Sequence, residues 1–556
     1  MRSLLATIAY VLAALPRGTA GAAFASESSV VTLSYGSFRG NNTGNLTAFL
    51  GMPYAQAPIG DLRFAPPQPP QAFEGVYDAT SYGAACYNQV GKPPAIDSSL
   101  PFNLSGGTPP ANESEDCLFV NVLTPASATA GDDLPVLFWI FGGAFETGNS
   151  ANNPGNDIVE RSLVLNEPII FVSINYRLNA FGFLASEEVL QAGLTNIGLR
   201  DQRFGMQWVS QYISAFGGDP NKVTIWGESA GAFSVGFQLV INNGDPAGLF
   251  RAAVMESGSP YALRNVSAGQ PYYDQLVDYT GCTGQADTLA CLRRAPADQI
   301  VAAVNMTPND QSYTEHNLAW QPRLDGDLFL QNPQRSVLMG RYAKVPIISG
   351  DCDDEGTRFS LGNINVTTDE EFLAYIHTEY LPDASPTELL AVGAAYPQDP
   401  SLGSPFDTGD ANQLTPQFKR IAAFTGDWQF ESPRRLVLAT MSQTQDAWAY
   451  LFRRGKSTPY LGASHGSDVP EFFTDIDYIG VDALINFATN LDPNAAANLS
   501  PNVSYLSGVA WEQWGSNPIA PPLLTFEDPA PSLNFTTDTF RQESTTLLAN
   551  LALQMP

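Results

Sequence analysis

The chain has 556 residues, 44% of them hydrophobic, and its 27 basic against 56 acidic side chains give a formal net charge of −29. Its isoelectric point is near 4.3. Such a surface repels phosphate backbones and anionic headgroups, which argues against nucleic acid as a partner and for an uncharged substrate; it also keeps a chain soluble.

Residues 1–22 begin MRS, run through the apolar stretch Leu4 to Leu15 and end among small residues. A membrane span needs roughly 20 apolar residues and this run has about 12, so it reads as a cleaved secretory signal. No later stretch is long enough to span a bilayer, so residues 23–556 are expected to be secreted, with no stable membrane anchor. Sequons at Asn41, Asn45, Asn103, Asn112, Asn265, Asn305, Asn365, Asn498, Asn502 and Asn534 fit a secreted glycoprotein. The 5 cysteines leave one unpaired in an oxidising compartment. Cys282 and Cys291 are a natural pair by proximity, which leaves Cys86 with Cys117 and Cys352 as the odd thiol, although spacing alone does not fix this connectivity. The cysteines have no metal-ligand spacing.

The stretch SVVTLSYGSFRG predicts an N-terminal hairpin strand. Pro53, Pro58, Pro66, Pro67, Pro69 and Pro70 predict a rigid, irregular surface loop after it. Between Cys86 and Cys117 lies a polar, proline-rich segment. If those cysteines pair, the closed loop limits the unfolded chain by roughly 3 kcal/mol; the alternative role is a lid over an active site. Short unbroken apolar runs follow: PVLFWIF from Pro135, IIFVSI from Ile169, VTIW from Val223, AAVM from Ala252, VPII from Val345 and AWAYLF from Ala447. Their lack of alternation and helix-length separation predict an α/β fold: one large, mostly parallel sheet with helices on both faces and long loop insertions. No linker or internal repeat divides residues 23–556, which read as a single catalytic domain.

At Gly227-Glu228-Ser229-Ala230-Gly231 a strand meets a sharp turn and then a helix. The glycines spare that turn any Cβ, and the serine hydroxyl is held out above a sheet edge. A serine nucleophile needs a base, and the chain has 3 histidines. His377 lies in a helical pattern and His316 has no small residues beside it, so packing or surface roles suit them. His465 lies among small residues on a loop after AWAYLF, where an imidazole can reach a serine. The partner carboxylate comes from Asp351, Asp353, Asp354 or Glu355, directly after VPIISG; spacing does not choose among them. The order nucleophile, acid, base is that of α/β-hydrolases. Gly142, Gly143, Ala144 and Phe145 end the strand PVLFWIF in a turn whose N–H groups, with that of Ala230, are candidate oxyanion donors.

These residues, with FLGMPYAQAPIGDLRFAPP, SEDCLFVNV, WIFGGAFETG, NIGLRDQRFGMQWV, ESGSP and SHGSDVPEFF, resemble the type-B carboxylesterase/lipase family of α/β-hydrolases, in particular its fungal secreted esterase/lipase branch. The resemblance implies Ser229 as nucleophile, His465 as base and Glu355 as acid, with Gly143, Ala144 and Ala230 as oxyanion donors and Ala144 where most members have a third glycine. It also implies bridges Cys86–Cys117 and Cys282–Cys291, and ion pairs Arg63–Glu115 and Arg177–Asp201. The implied activity is two-step hydrolysis of a small-molecule or lipid carboxylic ester, without cofactor or metal. The loop after Cys86 lacks both the tryptophan of cholinesterases and a long amphipathic flap, which favours soluble or moderately lipophilic esters. The alternatives are a true lipase or sterol esterase and, from another class, a neuroligin-like adhesion protein; the intact serine, acid and base argue against the latter. Acyl and alcohol preference and oligomeric state are not legible in the sequence.

Overall fold

The computed structural model describes residues 29–90, 110, 112–496 and 499–555. The expected signal at 1–22, most of the Cys86–Cys117 loop with its lid reading, and the sequons at Asn103 and Asn498 lie outside the described residues.

In chain order the strands are β1 (Val30–Leu33), β2 (Gly36–Arg39), β3 (Asn41–Asn42), β4 (Leu46–Pro53), β5 (Val76–Asp78), β6 (Phe119–Pro125), β7 (Leu134–Ile140), β8 (Ile170–Ile174), β9 (Gly218–Glu228), β10 (Ala252–Glu256), β11 (Ile347–Cys352), β12 (Ala447–Phe452), β13 (Pro522–Phe526) and β14 (Leu533–Thr537). β1, β2 and β5 make a small sheet; the others form an 11-stranded sheet in the order β14-β13-β12-β11-β10-β9-β7-β8-β6-β4-β3. From β8 through β13 every neighbouring pair is parallel. Antiparallel pairs close both ends.

The six apolar runs all become strands of the parallel core, where both faces are covered and alternation is not needed. β8, β10, β11 and β12 are buried at every position. Two differences from the sequence reading have physical causes. β11 begins two residues after Val345 and continues through Ser349-Gly350-Asp351-Cys352, because each of these pairs with β12. β4 and β6 were not marked by uninterrupted apolar runs: they pair antiparallel, with a register shift between Phe49 and Met52, so polar residues such as Asn121 are built into them.

Two disulfides join Cys86 to Cys117 and Cys282 to Cys291, and Cys352 is a buried free thiol. Arg63 pairs with Glu115 at 2.6 Å. Arg177 holds Asp201 through two side-chain hydrogen bonds of 2.8 and 2.6 Å, and the two side chains are 3% and 0% exposed. Asp201→Asn leaves the guanidinium buried without a countercharge, a loss of about 3–5 kcal/mol; a clear drop in the midpoint of urea unfolding is the expected result. A second apolar cluster, built around Phe372, Tyr375, Ile421, Phe424 and Leu548, packs helices beyond the edge of the main core. No helix among the described residues is long and apolar enough to cross a membrane.

Candidate active site

The carboxyl ends of parallel strands are where such sheets gather ligand-binding groups, and four strand ends contribute here. β9 ends at Glu228, a helix begins at Ala230, and Ser229 between them has φ 55° and ψ −125°. This backbone region costs a residue with a Cβ about 1–3 kcal/mol. Two bonds hold it: the Ser229 N–H donates to Glu256 O, and the Phe233 N–H donates to Ser229 O, each at 2.9 Å. The turn also packs directly on β7. A Cβ on Gly231 would lie 1.9 Å from Ile140 O, so only glycine permits the approach.

His465 reaches the serine from the loop after β12. Its Nε2 lies 2.7 Å from Ser229 Oγ, and its Nδ1 lies 2.5 Å from Glu355 Oε2. The ring proton therefore belongs on Nδ1, facing the carboxylate, and leaves Nε2 as acceptor for the serine hydroxyl. Of the four adjacent acids, only Glu355 meets the imidazole. Asp351 is paired with Arg434 at 2.8 Å; Asp353 and Asp354 are paired with Lys456 at 2.8 and 2.7 Å. Asp354 also ties the acid loop to the histidine loop, accepting from the Ala463 N–H at 2.9 Å while its own N–H donates to Ala463 O at 3.0 Å. The Cys352 N–H donates to Glu355 Oε1 at 2.7 Å. Burial pushes the Glu355 carboxyl up, and hydrogen bonds from Ser257 and Cys352 oppose that push. Burial lowers His465 from its ordinary value, while the Glu228 carboxylate acts in the other direction.

After β7, Gly143, Ala144 and Phe145 have φ of 108°, 58° and 60°, a run of residues with left-handed φ that ends the strand in a tight turn. The N–H groups of Gly143 and Ala144 donate to no acceptor among the described residues, and that of Ala230, in the first helical turn, has no acceptor in its own helix. The turn lies against the serine: a Cβ on Gly142 would be 2.9 Å from Ser229 Cβ.

The pattern of the Carboxylesterase family matches residues 27–514. The chain belongs to the carboxylesterase family. Lipase 4 of Diutina rugosa is 41% identical over 487 residues, covering 84% of this chain and 87% of the relative. The secreted triacylglycerol lipase LIP1 of Gibberella zeae is 37% identical over 533 residues, covering 93% and 90%. Among solved structures, the crystal structure of EstA from Aspergillus niger superposes with a TM-score of 0.79 at 29% identity, covering 95% of this chain and 99% of that one. This carboxylesterase-family chain therefore has the α/β-hydrolase fold and hydrolyses carboxylic esters.

Several residues near the site of this carboxylesterase-family protein were not singled out by the sequence. Glu228 Oε1 lies 3.5 Å from His465 Nε2, and burial pushes its carboxyl up to about 7. Its place inside the serine pentapeptide was a usable signal, since a residue beside the nucleophile must lie near the base. Phe359 and Phe430 flank His465 with ring centroids 5.0 and 4.7 Å away. Phe430 stacks on Phe233 at 5.6 Å and on Phe359 at 6.0 Å, which makes one aromatic wall. Phe430 comes from a π-helical turn, Asp427–Glu431, that no sequence period announces. His377 sits on an exposed helix with Nε2 3.1 Å from Pro382 O, away from the serine.

Proposed function

We propose that Ser229 is the nucleophile, His465 the general base and acid, Glu355 the carboxylate that orients and stabilises the imidazolium, and the N–H groups of Gly143, Ala144 and Ala230 the oxyanion donors. The observation that carries this reading is the unbroken line Ser229 Oγ, His465, Glu355 at 2.7 and 2.5 Å. Ser229 attacks the ester carbonyl as His465 takes its proton. The tetrahedral oxyanion forms against the three free amides, and His465 then protonates the departing alcohol. Water, activated by the same imidazole, hydrolyses the acyl-enzyme.

The substrate we propose is an uncharged ester with a compact acyl group. The stacked rings of Phe233, Phe430 and Phe359 beside the imidazole support this, because they set a compact aromatic wall next to the serine. The second reading, a lipase working at lipid surfaces, is favoured by the relatives' names, and three of them carry the word secreted, in keeping with the signal-like residues 1–22. Initial rates on p-nitrophenyl esters from acetate to palmitate, and on tributyrin through its solubility limit, separate the two. A maximum at short chains with no rise at the solubility limit supports the esterase; a sharp rise there overturns it.

Because burial disfavours the imidazolium, the acid limb of kcat/KM is expected to have its midpoint below pH 6.5. Below that midpoint His465 is protonated and cannot accept the serine proton; above it the enzyme is active. Glu228, whose carboxyl burial holds at about 7, is mostly neutral across that limb, so Glu228→Gln should leave the midpoint nearly in place. An acid limb with its midpoint above pH 6.5, measured on an uncharged ester, counts against the assignment of His465.

A further inference from the structure

The two edges of the 11-stranded sheet are unequal. One edge is β3, which has two residues and is too short to template a further strand. The other is β14, which has five residues and pairs only with β13. Apart from the Thr539 N–H, which donates to Thr537 O, no group beyond β13 among the described residues bonds to the main chain of 533–537. The outer row of N–H and C=O groups is therefore open to another strand.

Proteins usually blunt such an edge with a lysine, a proline or a bulge. The strand LNFTT has no charge and no proline, and its register with β13 runs unbroken from Pro522↔Thr537 to Phe526↔Leu533. The acids that flank it are already engaged: Glu527 with Arg453 at 3.5 Å, and Asp538 with Arg434 and Arg435 at 2.9 and 2.7 Å. Phe535 is 49% exposed, and an uncharged run of aromatic and β-branched residues is the kind that adds to its own copy. What the strand does carry is a sequon, Asn534-Phe535-Thr536. Asn534 is exposed and lies opposite Thr525 in the register, and its side-chain amide has no hydrogen bond among the described residues.

We propose that Asn534 carries an N-linked glycan and that this glycan guards the β14 edge against the β14 edge of a second copy. In the attachment step Asn534 Nδ2 bonds to the anomeric carbon of an oligosaccharide carried on a lipid diphosphate. The bond from that carbon to the diphosphate oxygen breaks, the diphosphate leaves with the electron pair, and one amide proton is released. A second copy is the occupant to exclude, because two LNFTT strands can pair antiparallel about a two-fold axis with no like charges opposed. An added strand would lie about 4.8 Å away and set its Cβ atoms about 5 Å from those of β14; a sugar on Asn534 fills that space. The net charge of −29 does not replace the guard, since salt near 0.15 M screens it within about 8 Å and the strand itself contributes none of it.

The test uses the full chain secreted from a eukaryotic host, as wild type, Asn534→Gln and Asn534→Lys. Peptide mass mapping of wild type is expected to find residue 534 bearing a sugar. Light scattering at equal concentration and physiological salt is expected to rise several-fold faster for Asn534→Gln than for wild type. Asn534→Lys, which returns a guard without a sugar, is expected to stay near the wild-type rate. Turnover per titrated active serine should be equal in all three, because β14 lies five strands along the sheet from β9. An unmodified asparagine at 534, or an Asn534→Gln rate equal to that of wild type, overturns the proposal. So do equal, raised rates in the Gln and Lys variants, which would make the glycan an aid to folding and leave the edge without a guard.

Discussion

Ser229→Ala is expected to lower kcat on any hydrolysable ester by on the order of 10⁶, the usual cost of removing a triad serine. The variant should fold. The hydroxyl donates only to His465 Nε2, and the bonds that hold the turn use the main chain of residue 229, which alanine retains. The strained φ and ψ are no worse for alanine than for serine. Circular dichroism and the unfolding midpoint should therefore match wild type while p-nitrophenyl butyrate hydrolysis falls to the residual supplied by the oxyanion amides and binding. Wild-type rates in this variant would sink the nucleophile assignment.

Glu355→Gln is expected to lower kcat by about 10³–10⁴, with little change in KM. The mutant amide keeps an oxygen for the Cys352 N–H, so the loop retains its shape. What changes is the group facing Nδ1. An NH₂ turned towards the ring favours the tautomer with its proton on Nε2, which cannot accept the serine proton, and the imidazolium loses its countercharge. The neighbouring acids cannot substitute, because Asp351, Asp353 and Asp354 are already held by Arg434 and Lys456. Asp354→Asn gives the contrast: it should reduce stability more than it reduces turnover per folded molecule, as read by fluorophosphonate labelling of active serines. A smaller kcat loss for Glu355→Gln than for Asp354→Asn would overturn the assignment.

Much of this could be read from residues alone because the sheet and the nucleophile turn are local. Unbroken apolar runs mark strands covered on both faces, and Gly231 is required by a contact of its own turn with Ile140. The base followed by elimination among three histidines. The acid did not: four neighbouring carboxylates look alike in sequence, and only the resemblance to a family chose Glu355. In space the choice depends on cations contributed from distant segments, Arg434 and Lys456. The aromatic wall was hidden for the same reason. Phe233, Phe359 and Phe430 belong to three elements far apart in the chain, and nothing in their spacing says that they stack.

Glu355 and His465 are carried by loops that are cross-linked to each other, through the paired backbone of Asp354 and Ser464 and the Lys456 clamp, whereas Ser229 is fixed to the opposite wall by β9 and its helix. Acid and base are thus tied to each other more closely than to the serine, which they meet through the serine–imidazole bond and through the Ser257 hydrogen bond to Glu355. On warming or in mild denaturant, acid and base should part from the serine together. Turnover would then fade while the carboxylate–imidazole proton remained intact and visible by NMR, so inactivation would begin as a separation of bodies before any melting of the site.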